Sequence, residues 1–387
     1  MKPLRVLMVS DVYFPRVNGV STSIETFRQA LPEEGIRIRL VAPCYADGAD
    51  HDGDIVRIPG QPVPGSPEDR LPRWKPLLQA VQREVADADL IHIQTPFAAH
   101  YAGVRAARAA RRPVLATYHT LFEEYFKHYA RLAPAPLLRG IARRLSRRQC
   151  NALDAVVVPS TAMRERLRQY GVTTRLHVVP TGIPLGRFSS GDREGFRRLH
   201  GIAPDRPVLL YVGRVAHEKN LDFLLDAFAR ALRQHVELLL LVTGEGPALP
   251  SLRARAASLG LGDNVRFLGY LDRRNELPDG YAAADAFVFA SVTETQGLVL
   301  LEAMAQGLPV IALPAMGTKD ILSPSLGCMT PQAEAGAFAD AIVRLVRDAA
   351  LRARLSAEAR AYAASWSDRA LAARLASLYR DMHRQSG

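Results

Sequence analysis

Short apolar runs alternate with longer segments of helical periodicity along most of the chain. The runs are rich in Val, Ile and Leu and lack polar alternation, which is typical of strands buried on both faces of a parallel sheet. In the first half they read LRVLMVS, RIRLVAP, LIHIQT, PVLATYH, AVVVPS and LHVVPT. In the second half they read PVLLYVG, ELLLLVTG, NVRFLGY, AFVFASV and PVIALP. Because helical patterns separate the runs, we predict an α/β fold of doubly wound parallel sheets.

The alternation is interrupted at TGIPLGRFSSGDREGF, a stretch rich in Gly, Pro and Ser. With 387 residues, the chain is also too long for one ordinary hydrophobic core. We therefore predict an amino-terminal domain over residues 1–184 and a carboxyl-terminal domain over residues 185–367. On the pattern alone, the last helical segment, residues 368–387, can pack on either domain.

The chain is basic, with 50 Lys and Arg against 39 Asp and Glu and a net charge of +11. This balance favours an anionic partner: nucleic acid, a membrane surface or a phosphorylated small molecule. No RNA-binding signature or helix-turn-helix pattern supports nucleic acid. No apolar run approaches the roughly 20 residues that span a bilayer, and the start MKPLRVLMVSDVYFP is typical of a first strand, not of a secretory signal. Three scattered cysteines suit a reducing cytoplasm and give no metal-binding spacing.

Residues 130–153 carry much of the excess charge and contain no acidic residue. The arginines of this segment are Arg131, Arg139, Arg143, Arg144, Arg147 and Arg148. Its apolar residues recur at helical spacing and are Leu137, Leu138, Ile141, Ala142 and Leu145. The pattern predicts a helix with one apolar and one arginine-rich face. Two interpretations stay open: a solvated surface helix, or a helix that lies on an anionic membrane surface.

Open parallel sheets bind ligands beyond the carboxyl ends of their strands, so residues there are candidates for a site. Gly19 lies before a predicted helix whose free amides attract anions, although a plain capped helix accounts for it equally well. His119 ends a strand, where an imidazole can bond a sugar hydroxyl, steady a charge or move a proton, or can simply be a polar end residue. Tyr118, Phe122 and Tyr125 beside it suit an apolar acceptor surface or an interdomain contact.

A second pair of candidates is cationic. In YVGRVAHEKNLDFLLDAF, Gly213 ends a strand, Arg214 follows at once, and Lys219 stands at the start of a helix. Two cations beside a strand end and a helix N-terminus make a diphosphate site, whereas the alternative is an Arg and a Lys on a solvated turn.

Two glutamates follow the strand AFVFASV. Glu294 and Glu302 flank Gly297, near which a helix is predicted to begin. Carboxylates accept hydrogen bonds from vicinal diols well, because each has two oxygens. Glu302 lies amid LVLLEAMA, where burial without partners would cost several kcal/mol, so a functional role is favoured for it.

Four motifs in this order and spacing resemble the retaining GT-B glycosyltransferases of family 4: GRVAHEKN, VTGEGP, NVRFLGYL and TETQGLVLLEAMAQGLPVIA. The glutamate pair matches that family's E-x7-E motif, and PRVNGVST and YHTLFEEY match in the amino half. The resemblance implies two facing Rossmann-like domains with a cleft between them. It also implies a nucleotide-sugar donor held mainly by the second domain, an acceptor held mainly by the first, and a final helix that crosses back to the amino-terminal domain.

The resemblance also implies residue roles. Arg214 and Lys219 would neutralise the donor diphosphate, Glu302 would bind the ribose, and Glu294 would bind the transferred sugar. His119 would lie near the reactive side of that sugar. The further donor-binding positions are Gly19, Gly213, Gly244, Leu268, Gln296, Gly297 and Leu298.

The family's reaction is thought to occur on one face of the sugar, with the leaving phosphate accepting the proton of the acceptor. It therefore needs no carboxylate nucleophile, and we expect no metal and no cofactor beyond the nucleotide-sugar. Two departures concern sugar and acceptor details. Pro184 stands where the family often has an acidic residue, and AMGTKD, residues 315–320, replaces the usual glycine pair and acid.

PRVNGVSTSIETF, YHTLFEEYF and TETQG look most like the branch that glycosylates diacylglycerol or related membrane lipids. We therefore expect a peripheral enzyme on the inner face of the cell membrane that transfers glucose from UDP-glucose to such a lipid. The residues expected to contact acceptor or membrane are Tyr118, Phe122, Tyr125, Arg139, Arg143, Arg144, Arg147 and Arg148. The alternative is a GDP-mannose-dependent mannosyltransferase acting on a lipid or polysaccharide.

Other classes fit the motifs less well. A nucleotide-sugar epimerase shares the fold but would not be expected to carry this E-x7-E together with GRVAHEKN. An NAD-dependent oxidoreductase needs a glycine fingerprint, whereas GEGPAL has Leu249 in place of the third glycine. The intact candidate residues disfavour a non-catalytic nucleotide-binding protein. The sequence leaves the number of sugars added and the oligomeric state open.

Overall fold

The computed structural model describes residues 3–45, 52–63, 66–119, 135–273 and 275–386, which fold into two compact units. The amino-terminal unit comprises Met1–Gly182 and Asp368–Gly387, and the carboxyl-terminal unit comprises Ile183–Ser367. The two crossing points lie side by side, because the amide of Ile183 donates to the carbonyl oxygen of Trp366 at 2.9 Å. The sequence pattern placed the first crossing after residue 184, two residues later than the structure does.

A seven-stranded sheet forms the centre of the amino-terminal unit, in the order β3-β2-β1-β6-β7-β8-β9. Its strands are β1 (Leu4–Val9), β2 (Ile36–Pro43), β3 (Ile55–Ile58), β6 (Leu90–Ile93), β7 (Val114–Thr117), β8 (Ala155–Val158) and β9 (Arg175–Val178). Every neighbouring pair in it is parallel. A separate antiparallel hairpin joins β4 (Gly60–Val63) to β5 (Ser66–Pro72).

Helices connect these strands. In the amino-terminal unit they are α1 (Gly19–Ala30), α2 (Trp74–Glu84), α3 (Ala98–Ala110), α4 (Ala135–Cys150), α5 (Thr161–Gln169) and the final helix of the chain, α15 (Asp368–Ser386). Leu375 and Tyr379 of α15 are fully buried in the same core cluster as Val6 and Met8 of β1. The last helix is therefore an integral part of the amino-terminal unit.

A six-stranded parallel sheet forms the carboxyl-terminal unit, in the order β12-β11-β10-β13-β14-β15. Its strands are β10 (Val208–Val212), β11 (Leu239–Thr243), β12 (Val265–Gly269), β13 (Ala286–Phe289), β14 (Val310–Ala312) and β15 (Cys328–Met329). Its helices are α6 (Leu185–Phe188), α7 (Arg193–Leu199), α8 (Leu221–Leu232), α9 (Leu249–Ser258), α10 (Glu276–Ala283), α11 (Leu298–Ala305), α12 (Thr318–Leu322), α13 (Ala335–Arg347) and α14 (Ala349–Ala364). Both sheets are open and parallel with helical crossovers, so the predicted α/β doubly wound architecture is confirmed.

A buried arginine fastens α7 to this sheet. Arg197 is 3% exposed and pairs with Asp285 just before β13, at 3.1 Å. Asp285 also accepts the amide of Val208 at the start of β10, at 2.8 Å. Arg197 further donates, at 2.9–3.0 Å, to the carbonyl oxygens of Ala203, Pro204, Arg206 and Ala283. One guanidinium therefore satisfies backbone acceptors in the loop between α7 and β10 and at the end of α10.

Arg197→Met should lower the free energy of unfolding of the carboxyl-terminal unit by about 3 kcal/mol, because it breaks a buried ion pair and leaves carbonyl groups without a donor. The neighbouring Arg198 is the matched control, since its side chain is 73% exposed and reaches Glu194 at only 3.6 Å. Arg198→Met should cost less than about 1 kcal/mol. Urea unfolding in a Trp74→Phe background isolates the signal of Trp366 in the carboxyl-terminal unit. Equal losses in the two variants would contradict this assignment.

Candidate active site

Close backbone packing shapes the strand edge of the carboxyl-terminal unit. The loops after β10 and β11 are joined by hydrogen bonds from Gly213 N to Thr243 O at 3.1 Å and from Val215 N to Glu245 O at 2.9 Å. Gly244 has a φ of 120°, and a Cβ placed there would overlap the carbonyl oxygen of Gly213. Only glycine fits this approach, and the packing fixes the path of the loop that carries Arg214 and Lys219.

Lys219 is the better held of the two cations. It ends a 3₁₀ turn, His217–Lys219, directly before α8. Its Nζ lies 2.5 Å from Oε1 of Glu294, and the two side chains are 18% and 19% exposed. Arg214 is 59% exposed and approaches Glu218 at 3.9 Å. The sequence-predicted pair therefore consists of a covered lysine already bound to a carboxylate and an arginine that extends into solvent.

The turn before α11 carries the predicted glycine. Gly297 is the N-cap of the helix with a φ of 99°, a left-handed conformation that favours glycine, so the helix begins at Leu298, where it was predicted. Gln296 is buried, and the carbonyl oxygen of Glu294 accepts the amide of Gly317 at 2.9 Å. These contacts fix the backbone of Glu294 while its carboxylate faces Lys219.

Glu302 is buried, with 2% of its surface exposed, and its carboxylate has two protein partners. The Tyr281 hydroxyl donates to Oε2 at 2.9 Å, and Arg273 Nη2 pairs with Oε1. Burial alone would lower the pKa of Arg273, but the attraction of Glu302 outweighs it and the pKa rises. These two partners compensate the cost of burying Glu302, which the sequence pattern had indicated. Each oxygen keeps a further lone pair, so a role in ribose binding stays a prediction.

Arg273 and Tyr281 were missed by the sequence reasoning. They lie 29 and 21 residues before Glu302, and no motif joins them to it. The remaining predicted donor positions sit at the same sheet edge: Leu268 lies near the end of β12, and the amide of Gly244 donates to Gly269 O at 2.7 Å. Of the predicted positions in this unit, the structure joins Lys219 to Glu294 and places Glu302 in a separate pair with Arg273, while the donor-binding roles stay predictions.

His119 follows β7 in the amino-terminal unit. It is half-buried, and its Nε2 lies 3.2 Å from Oε1 of Gln94, which follows β6. Burial lowers the pKa of His119 to about 4, so the imidazole is neutral near pH 7. A neutral ring can donate or accept a hydrogen bond, but it cannot act as a fixed positive charge. Of the roles considered for His119, the hydroxyl contact therefore fits best.

A second histidine, His92 of β6, belongs to a buried series of hydrogen-bonded polar groups. His92 Nε2 lies 2.7 Å from Thr117 Oγ1, and its Nδ1 lies 2.6 Å from the hydroxyl of Tyr379. Burial, with a smaller contribution from His119, lowers the pKa of His92 to about 3. These hydrogen bonds connect α15 to the end of β7, two residues before His119.

The other predicted residues of this unit, apart from those of α4, are Gly19, Tyr118, Phe122 and Tyr125. Gly19 is the first residue of α1, and Asn18 caps that helix by accepting the amide of Ser21 at 2.9 Å, so a plain capped helix describes it. Tyr118 is buried, with its hydroxyl 2.8 Å from Ser146 Oγ of α4, and so lies inside the unit instead of on an acceptor surface. Phe122 and Tyr125 lie outside the described residues.

The apolar residues of the arginine-rich helix, α4, differ in burial, whereas the sequence predicted one apolar face. Ala142 is buried and Leu138 and Leu145 are half-buried, whereas Leu137 and Ile141 are 57% and 48% exposed. The arginines around them are all exposed: Arg139, Arg143, Arg144, Arg147 and Arg148. The guanidinium of Arg143 also lies 5.6 Å from the centre of the Tyr170 ring. The predicted apolar face is thus split, and two large apolar side chains remain outside among the cations.

Across the described ranges, no group of three His, Cys, Asp or Glu side chains is arranged to hold a metal ion. The same residues include no helix that is long and apolar enough to cross a bilayer.

Two family profiles match the chain in succession. Glycosyltransferase Family 4 matches residues 17–187, and Glycosyl transferases group 1 matches residues 192–362. The alpha-monoglucosyldiacylglycerol synthase of Streptococcus pneumoniae is 35% identical over 317 residues, which cover 80% of this chain and 71% of that protein. The GDP-mannose-dependent alpha-mannosyltransferase of Mycobacterium tuberculosis is 30% identical over 355 residues, 89% of each chain.

The fold is shared with solved structures. The sucrose-phosphate synthase of Thermosynechococcus elongatus superposes with a TM-score of 0.80 at 23% identity, covering 99% of this chain and 100% of that one. The chain therefore belongs to the family 4 glycosyltransferases, which have the GT-B fold. It is a glycosyltransferase, and the resemblance that the motifs indicated is confirmed.

Lys219→Ala should reduce turnover of the nucleotide-sugar by about 10² to 10³, because a positioned cation no longer stabilises charge on the leaving phosphate. Lys75→Ala, at an exposed lysine of α2, is the matched control and should leave turnover unchanged. Chromatography of the released nucleotide measures both. A Lys219→Ala protein that binds donor and turns over normally would remove this residue from the reaction.

Proposed function

We propose that the chain is a retaining, metal-independent glucosyltransferase that moves glucose from UDP-glucose to diacylglycerol or a related membrane lipid. It works at the inner face of the cell membrane, held there peripherally by α4. The observation that carries the lipid acceptor is the exposed pair Leu137 and Ile141 on a helix whose arginines are also exposed. Exposed apolar side chains that insert into the bilayer, beside cations that meet the lipid headgroups, are the usual means by which a helix lies on an anionic membrane.

The relatives agree with this acceptor. Proteins named alpha-monoglucosyldiacylglycerol synthase, from Streptococcus pneumoniae and Acholeplasma laidlawii, each align with 80% of this chain at 35% and 28% identity. Relatives named for GDP-mannose support the second candidate, a GDP-mannose-dependent mannosyltransferase, because one of them aligns with 89% of the chain.

The proposed mechanism follows from where charge develops as the bond between sugar and diphosphate breaks. The bond between the sugar C1 and the diphosphate oxygen breaks, a bond from C1 to the acceptor hydroxyl oxygen forms on the same face, and the acceptor proton passes to the leaving phosphate. Negative charge therefore grows on the diphosphate, where Lys219, Arg214 and the amides before α11 would stabilise it. These groups do the work of a metal in neutralising the leaving group. Glu294 and His119 would hold the sugar hydroxyls by hydrogen bonds.

Donor and acceptor are tested together. Purified protein is supplied with labelled UDP-glucose or GDP-mannose, with and without anionic vesicles that contain diacylglycerol. We expect labelled glucolipid from UDP-glucose only when vesicles are present. Transfer from GDP-mannose alone, indifferent to vesicles, would overturn the donor and the acceptor while leaving the family assignment intact.

A matched pair of leucines tests the attachment in the same assay. Leu137→Gln should lower vesicle binding by about tenfold or more, since burying a leucine is worth roughly 1.5–3 kcal/mol. Leu199→Gln removes a leucine that is 79% exposed on α7 of the other unit and should leave vesicle binding unchanged. Equal effects would exclude α4 as the attachment surface.

A further inference from the structure

A cavity of about 370 Å³ opens between α3 and α4 of the amino-terminal unit. This volume lies within the roughly 300–1,000 Å³ of sites that bind small molecules. Its walls include Tyr101 and Val104 of α3, and its basic residues are Arg105 and Arg108 of α3 and Arg148 of α4. Four of these five residues have no role in the predictions above, and the fifth, Arg148, is one of the arginines expected to contact acceptor or membrane.

Among the described residues, no carboxylate pairs with the arginines of this cavity, all three of which are exposed. Neither helix could supply one, since α3 and α4 contain no acidic residue. Three guanidinium groups around one cavity repel each other unless an anion lies between them, and guanidinium is the side chain best suited to a phosphate group.

The inner end of the cavity is polar but neutral. His100 is 4% exposed, and no hydrogen bond joins its imidazole to another described residue. Burial, and to a lesser degree Arg108, lower the pKa of His100 to about 4. The ring is therefore uncharged near pH 7 and offers one N–H donor to a ligand. A buried imidazole that no described residue hydrogen-bonds is the second sign that a polar group is bound here.

The mouth of the cavity is amphipathic. Tyr101 is 51% exposed at one side. On α4, Arg148 lies two helical turns beyond Ile141, and therefore shares its face with Ile141 and Leu137. If the anionic group of a ligand bound the arginines, the apolar part of that ligand could lie along these exposed apolar side chains of α4. The same side chains are the ones proposed to insert into a bilayer.

We propose that the cavity between α3 and α4 binds the phosphate group of an anionic glycerophospholipid, with the acyl chains leaving along Leu137 and Ile141. This lipid is not the sugar acceptor, because diacylglycerol carries no charge for the arginines to bind. The site is a co-ligand site that would select membranes by their anionic lipid. The distinction from the acceptor rests on the proposed function, whereas binding at the cavity does not depend on which sugar is transferred.

Calorimetry with the full chain tests the site without any transfer reaction. The probe is dihexanoylphosphatidylglycerol at concentrations where it is monomeric, with inorganic phosphate and dihexanoylphosphatidylcholine as comparison ligands. We expect one molecule of the phosphatidylglycerol to bind, at least about tenfold more tightly than either comparison ligand. Equal affinity for inorganic phosphate would show a simple anion site, and equal affinity for the phosphatidylcholine would show an apolar one; either result overturns the proposal.

Two kinds of variant distinguish binding in the cavity from general electrostatic attraction of an anionic lipid to the basic protein. The double change Arg105→Gln and Arg108→Gln should weaken binding by about tenfold or more, whereas Arg168→Gln, at an exposed arginine of α5 that does not line the cavity, should not. Val104→Phe fills the cavity without changing charge and should also weaken binding. Unchanged UDP binding and an unchanged melting temperature establish that each variant is folded. Unaltered affinity in a folded double variant would refute the site.

Discussion

The backbone contact between the loops after β10 and β11 is the constraint on which the cationic strand edge depends. Because the carbonyl of Gly213 lies against the Cα of Gly244, neither loop can move without the other, and the following turn must bring Lys219 to the end of β13. There it meets Glu294 at 2.5 Å. Both partners of this ion pair are partly open to solvent, and we propose that a phosphate group displaces the carboxylate from Lys219.

The two units differ in how they use charge. At the strand edge of the carboxyl-terminal unit, charges are paired: Lys219 with Glu294, and Arg273 with Glu302. At the corresponding edge of the amino-terminal unit, the two histidines His119 and His92 are neutral near pH 7, because burial lowers the pKa of each. Exposed arginines also lie on the outer helices, where α4 combines them with exposed apolar side chains.

The sequence predicted the architecture well because its strands are buried on both faces. Each of the predicted apolar runs contains an observed strand, whereas β3, β15 and the hairpin of β4 and β5 were missed, being short, partly exposed or interrupted by proline. The site was predicted only where motifs are local. The sequence indicated that buried Glu302 needs partners, but the tertiary fold alone supplies Arg273 and Tyr281 from more distant positions. The protonation of His119 and the inward turn of Tyr118 are likewise set by packing, which no pattern of residue types encodes.

The most direct test of the account is the affinity for UDP of a Glu294→Gln variant. If the carboxylate competes with the diphosphate for Lys219, its removal should tighten UDP binding by about tenfold, because roughly 1.4 kcal/mol of repulsion is lost for two charges about 6 Å apart at an effective dielectric of about 40. Glu237→Gln, at an exposed glutamate of the same unit, should leave the affinity unchanged. Calorimetry measures both. Unchanged or weaker UDP binding by Glu294→Gln would show that the ion pair does not lie at the diphosphate and would contradict the central claim.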